Sequence, residues 1–168
     1  NIMNQTQTFT FQQLPQTAAD IQVLPEFSMD TPFKTCALAL LALTRWKSSP
    51  DDCHAMLDLL RGPAPMSPYD KQFLRDRLRG KEYKVMSFFA GATVENGYTP
   101  SAPYTISVSD NPYSYQDENY ANLYITSSGA DSPRSIKMRK KPSEGKWFMW
   151  ENFALADIRI PKAADPWA

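Results

Sequence analysis

Apolar and polar positions change their period near Gly80. Before that point apolar residues recur every three or four positions, as on a helix with one buried stripe. Beyond it they alternate, as on a strand with one buried face. From Phe33 to Lys47 the residues Phe33, Ala37, Leu40, Leu41 and Trp46 have helical spacing. Leu38 and Leu43 widen that stripe until it nearly encircles the helix, which predicts a central position in the fold. Asp30-Thr31-Pro32 marks the start, with Asp30 or Thr31 as N-cap and proline in the first turn. A shorter helix is predicted from about Thr17 to Leu24.

Two further helices share one punctuation. Ser49 caps the first, Pro50 and the acids Asp51 and Asp52 occupy its positive end, and Gly62 closes it. Its predicted core face is Cys53, Met56, Leu57 and Leu60. Ser67, Pro68 and Asp70 open the second, Gly80 ends it, and Phe73, Leu74 and Leu78 are expected to face inward. This shared grammar is capping chemistry rather than an internal repeat.

Strands follow. Tyr104–Ser109 alternates with Tyr104, Ile106 and Val108 on one face, until Asp110-Asn111-Pro112 breaks it. Tyr120–Thr126 alternates with Leu123 and Ile125 inward, and Ser127-Ser128-Gly129 turns. Ile136 and Met138 mark the next strand, and Pro142–Gly145 turns into Lys146–Phe153. Residues 1–13 are a Gln/Thr-rich arm or an edge strand through Thr8–Phe11; Asn1 and Ile2, ahead of Met3, are native or an expression remnant. The pattern predicts an α+β fold, with N-terminal helices packed on one face of a C-terminal antiparallel sheet and a cone-like sheet as its variant. One domain is expected over 14–168, helical through 80 and β from 81, preceded by the arm 1–13.

Composition adds bounds. With 42% hydrophobic and 12% aromatic residues, the chain has enough apolar surface to fold. Net charge is zero, so no whole-molecule field favours nucleic acid or an anionic membrane. The charge is segregated nonetheless. Residues 85–133 hold five acids and no Lys or Arg, whereas residues 134–168 hold eight bases against four acids. The basic run Lys71 to Lys84 is interleaved with Asp76 and Glu82 and reads as a solvated helix face. No apolar stretch is long enough for a membrane span, and no leader pattern opens the chain, so the expected location is cytoplasmic. Cys36 and Cys53 lack CxxC spacing and read as reduced thiols, with a disulfide possible only for an exported chain.

No nucleophile elbow, zinc-protease helix, phosphate loop or dinucleotide fingerprint occurs. The single histidine, His54, follows Cys53 on a helix, where neighbours point about 100° apart and do not work as a pair. One His and two Cys fall short of a zinc site, and the oxygen-rich segment Asp110–Tyr120 lacks calcium-loop spacing. No catalytic residue, cofactor or metal is therefore assigned. The last hairpin is the richest feature. Trp147, Met149 and Phe153 are expected on one face, and Phe148, Trp150 and Asn152 on the other. With Trp147 and Met149 inward, Phe148 and Trp150 join Tyr124, Lys137, Arg139 and Lys141 outside. That patch suits a peptide, an anionic ligand or single-stranded nucleic acid. The competing expectation is that the N-terminal arm, or the loop through Phe88-Phe89, covers the rings.

The segments SPYDKQFLRDRLRG, YTISVSDNPYSY, GADSPR, GKWFMWE and IRIPKAADPWA together resemble a family of uncharacterised domains from Gram-positive anaerobic bacteria, over about Phe9 to Ala168. That resemblance implies no activity, cofactor or catalytic position. The GKWF hairpin is also similar to the last strands of nuclear-transport-factor-2-like cone folds, where a Gly-Lys-Trp turn precedes the returning strand. The acidic dyads or His–Asp pairs of that superfamily's enzymes have no match here. The expected function is a non-catalytic module binding a protein or a small molecule through Tyr124, Lys137, Arg139, Phe148 and Trp150. An enzyme with a cone-like pocket and unassigned carboxylates is the alternative, and nucleic acid is the least favoured partner.

Overall fold

In the computed structural model, which describes residues 4–168, the predicted change of period appears as a change of element. Asn1–Met3, the start of the arm, lie outside the described residues. Helix α1 (Ala18–Gln22) is capped by Thr17 in a capping box with Asp20, and a short 3₁₀ turn follows at Pro25–Ser28. Helix α2 (Pro32–Thr44) starts on Thr31, whose hydroxyl accepts from the Lys34 N–H. Helix α3 (Pro50–Arg61) buries Cys53, Met56, Leu57 and Leu60, the face its periodicity predicts. Helix α4 (Pro68–Leu78) has Ser67 and Asp70 in a reciprocal capping box. A single turn, α5 (Tyr83–Met86), lies beyond Gly80.

Strands β2 (Tyr104–Ser109), β3 (Tyr120–Ile125), β4 (Arg134–Lys141) and β5 (Lys146–Asn152) form an antiparallel meander. The fifth strand comes from ahead of the helices. Strand β1 (Thr6–Phe11) pairs antiparallel with β2, Thr6 opposite Ser109 and Phe11 opposite Tyr104, giving the order β1-β2-β3-β4-β5. The fold is α+β, with the helices mostly in the first half and the strands mostly in the second.

The two faces of the sheet differ. Ile106, Val108, Ala121, Leu123, Ile125, Ile136, Met138 and Met149 are buried on the inner face. Helix α2 packs against β2, β3, β4 and β5, with α3 and α5 also against it. Eleven of its residues are buried, and its small ones (Thr35, Cys36, Ala37, Ala39, Ala42) let a helix settle close to a sheet. Its first turns, with Met29 just ahead of the helix, also pair one residue of the β5 edge. The Thr35 hydroxyl donates to the Trp147 carbonyl at 2.7 Å, and the Trp147 N–H donates to the Met29 carbonyl at 2.8 Å.

The C-terminal segment is laced back onto the body. Lys84, 3% exposed, donates from Nζ to the Leu155 carbonyl at 3.1 Å, and burial holds its ammonium below the usual lysine range. The Tyr98 hydroxyl donates to the Arg159 carbonyl and Arg134 Nη2 to that of Asp157, so three side chains of the body grip one strap.

Gly62, the C-cap of α3, has φ +60° and ψ −117°, a conformation other residues avoid. A Cβ there would lie 2.5 Å from the Phe148 ring. Gly62→Ala should lower stability by about 2–3 kcal/mol, from backbone strain plus overpacking. Gly80→Ala, at φ +74° with open space around it, should lose only about 1 kcal/mol from strain. Equal losses in denaturant titration would show that Phe148 does not pack on Gly62.

Candidate functional site

The outer face of β3–β5 is built by strand alternation and one irregularity. In β4, Ile136 and Met138 point into the core, so Lys137 and Arg139 point out. The β3–β4 register sets Tyr120 opposite Arg139 and Asn122 opposite Lys137. Across β5, Arg139 faces Phe148 and Met138 faces Met149, but Lys137 faces Glu151. Trp150 is therefore the extra residue of a β-bulge, and its ring swings over the outer face.

The bulge also resets the alternation. Asn152 falls opposite the buried Ile136, on the inner side, where the sequence expectation groups it with Phe148 and Trp150. Phe153, expected inward beside Met149, lies past the strand end and is 50% exposed. A period-2 reading cannot anticipate an inserted residue.

The result is a stacked cluster of cations and rings. The Arg139 guanidinium sits 4.6 Å from the Trp150 ring centre and 5.5 Å from that of Tyr120. Lys137 Nζ lies 4.8 Å from the Tyr120 ring, and Tyr120 meets Trp150 edge-on at 6.2 Å. The three cation–ring contacts place positive charge on the negative face of a ring, and the edge-on pair sets the positive edge of one ring against the face of the other. Lys137 has a carboxylate at 3.9 Å, that of Asp117. Arg139 is exposed and has no acidic partner among the described residues.

Four of the five expected residues meet here. Lys137, Arg139 and Trp150 are in the cluster, and Phe148 adjoins it, its ring turned toward Gly62 in the α3–α4 connection. Tyr124 shares the face but stands four residues along β3 from Tyr120, about 13 Å away at strand rise, between Ser109 and Ser135. Tyr120 is the residue the sequence reading misses. Its signal is parity: it shares the outward phase of Tyr124 and Asn122.

A cleft of about 410 Å³ opens at the hairpin end of the cluster, lined by Arg61, Arg139, Lys140, Lys141, Phe148 and Trp150 among others. Its far wall is fixed, because Arg61 donates to the Ala64 carbonyl and to Asp70. Neither the N-terminal strand nor Phe88-Phe89 covers the rings. Strand β1 lies at the opposite sheet edge, and Phe88 and Phe89 are core residues. Phe73, expected inward, is half-buried under the Arg77 guanidinium and lines a second groove of about 500 Å³ between α3–α4 and β5.

Other candidate chemistry is placed elsewhere. Cys36 and Cys53 are buried free thiols whose pKa values burial pushes up to about 12, which keeps them protonated and unreactive near neutrality. His54 is half-buried, and burial, then Lys71, lowers its pKa. Buried Asp110 accepts from the Tyr115 hydroxyl and the Gln5 N–H, bracing the β2–β3 loop to β1. Among the described residues no group of three or more His, Cys, Asp or Glu is placed to hold a metal, and no helix is long and apolar enough to cross a membrane.

Fold and site define an α+β protein with one face of its sheet filled by helices and an aromatic, cationic cluster on the other. The family model described as Domain of unknown function (DUF6935) matches residues 13–162, and the chain belongs to that family. No curated protein and no solved structure matches it.

The stacking of Arg139 on Trp150 should be measurable without a ligand. A double-mutant cycle of Arg139→Ala and Trp150→Ala in chemical denaturation should give a coupling of about 0.5–1 kcal/mol. Additive losses would mean that the guanidinium is not held on the ring in solution.

Proposed function

We propose that this chain is a non-catalytic binding module of the bacterial cytoplasm, and that it takes a small anion bearing a flat or apolar group on the outer face of β3–β5. The observation that carries this reading is the state of Arg139. Its guanidinium is oriented by two rings, yet it has no acidic partner within the described residues. An arginine held in place and left unpaired is prepared for a carboxylate or phosphate, because little further ordering is needed on binding. Lys141, paired with Glu144 at 2.6 Å, lines the adjoining cleft, and Phe148 and Trp150 supply surface for a planar group. A carboxylate or phosphate segment of a partner protein would satisfy the same chemistry. Two protonated, unpaired cysteines fit a reducing compartment.

Trp150 is one of four tryptophans, so its signal is the difference in emission between wild type and Trp150→Ala, and affinities of both are read by calorimetry. Titrating the protein with inorganic phosphate, phenyl phosphate and adenosine monophosphate should change tryptophan emission with the latter two, more weakly as salt rises. Arg139→Gln and Trp150→Ala should each weaken that binding about tenfold or more while leaving the circular dichroism unchanged. Absence of a response to all three anions at millimolar concentration, or unchanged affinity in Arg139→Gln, would overturn the reading. Retention of a single-stranded oligonucleotide far above the mononucleotide would favour a nucleic-acid surface instead.

A further inference from the structure

The far edge of the sheet is built differently from β5. In β1 the residues of odd number bond to β2: the Asp110 N–H donates to the Gln5 carbonyl, and Gln7, Phe9 and Phe11 continue that phase opposite Val108, Ile106 and Tyr104. The N–H and C=O groups of Thr6, Thr8 and Thr10 therefore point away from the sheet. Among the described residues nothing bonds to them, and all three residues are exposed. Their hydroxyls are engaged sideways on the outer face, with Ser109 at 2.8 Å, Ser107 at 3.0 Å and Thr105 at 3.4 Å. These cross-strand pairs occupy the hydroxyls on the outer face and leave the backbone edge of β1 presented.

Exposed edges are normally blunted by Lys, Glu, Pro or a bulge. This one carries none of them. The first charged residue of the chain is Asp20, and the β1–β2 register is unbroken from Thr6 to Phe11. The segment Thr6-Gln7-Thr8-Phe9-Thr10 is also symmetric in its threonines about Thr8. We infer that β1 is a self-association edge, pairing antiparallel with β1 of a second copy of this chain about a two-fold axis at Thr8.

The register follows from the geometry. Thr8 faces the partner's Thr8, and Thr6 faces the partner's Thr10. Outward-pointing groups meet at each of these positions, so the two edges exchange six N–H···O=C bonds. Opposite residues of an antiparallel pair share a face, which keeps all the threonines on the outer side. On the inner side Gln7 falls against the partner's Phe9, which covers a ring left half-buried in one copy. Two five-stranded sheets then become one continuous sheet. The aromatic cluster lies toward the other edge and takes no part in this pairing.

The test is the mass in solution, with two variants at Thr8. Light scattering on wild type at about 100 µM, a concentration suited to a small interface, should give twice the 19.1 kDa chain mass, returning to 19.1 kDa on dilution. Thr8→Pro removes one outward N–H and leaves the β1–β2 bonds intact. Thr8→Lys sets two ammonium groups against each other across the axis, on a side chain that is exposed in one copy. Both variants should run at the single-chain mass with unchanged circular dichroism, and Thr8→Lys alone decides the matter if the proline variant does not fold. In wild type, the Thr6, Thr8 and Thr10 amides should exchange hydrogen more slowly as concentration rises. A wild type that stays at the single-chain mass up to about 1 mM, or a folded variant that keeps the doubled mass, would overturn the inference.

Discussion

Everything in this fold depends on the burial of α2. A helix apolar on nearly every side cannot lie on a surface, because each exposed leucine would forfeit about 1.5–3 kcal/mol of transfer energy. It must be enclosed, and the enclosure divides the molecule. The sheet covers one flank, and α3, α5 and the 3₁₀ turn cover the rest. Once α2 occupies one face of the sheet, the inward residues of β2–β5 are committed to core, and the outward residues are left to water or a ligand. Thr35, on the same helix, bonds the Trp147 carbonyl and ties down the edge of β5.

The outer face varies across its width. At β1–β2 it is a ladder of threonine and serine hydroxyls, and at β4–β5 it is cations stacked on rings. The change tracks charge along the chain: residues before Asp20 carry none, while β4 supplies Lys137, Arg139, Lys140 and Lys141. Trp150 points outward beside Arg139 by the same alternation as Phe148, and the inserted position there shifts the residues after it, Glu151 to the outer face and Asn152 to the inner. The strap from Leu155 to Arg159 is gripped by Lys84, Arg134 and Tyr98, and the chain just beyond it is held by the Lys162 N–H on the Val94 carbonyl.

What is legible in the sequence is what local chemistry determines. Ser49, Ser67 and Gly62 mark helix ends because caps satisfy backbone groups within a few residues, and the inward face of α3 follows from its period. The displayed set Lys137, Arg139, Phe148 and Trp150 is legible as far as strand parity holds. Three features lie beyond that reach. The pairing of β1 with β2 joins residues about a hundred positions apart and leaves only a faint alternation in Thr6–Phe11. The bulge shifts Asn152 and Phe153 out of the phase that simple alternation assigns. Parity within β3 places Tyr120 on the outer face, but that it faces Arg139 follows only from the β3–β4 register.

Native-state hydrogen exchange across a denaturant series tests the dependence on α2 most directly. The amides from Cys36 to Leu43 should exchange only through global unfolding, with the same free energy and denaturant sensitivity as the central strands β3 and β4. Exchange of those helical amides through a smaller opening, while β3 and β4 stay protected, would show that the sheet holds together without the helix and that another element determines which face it displays.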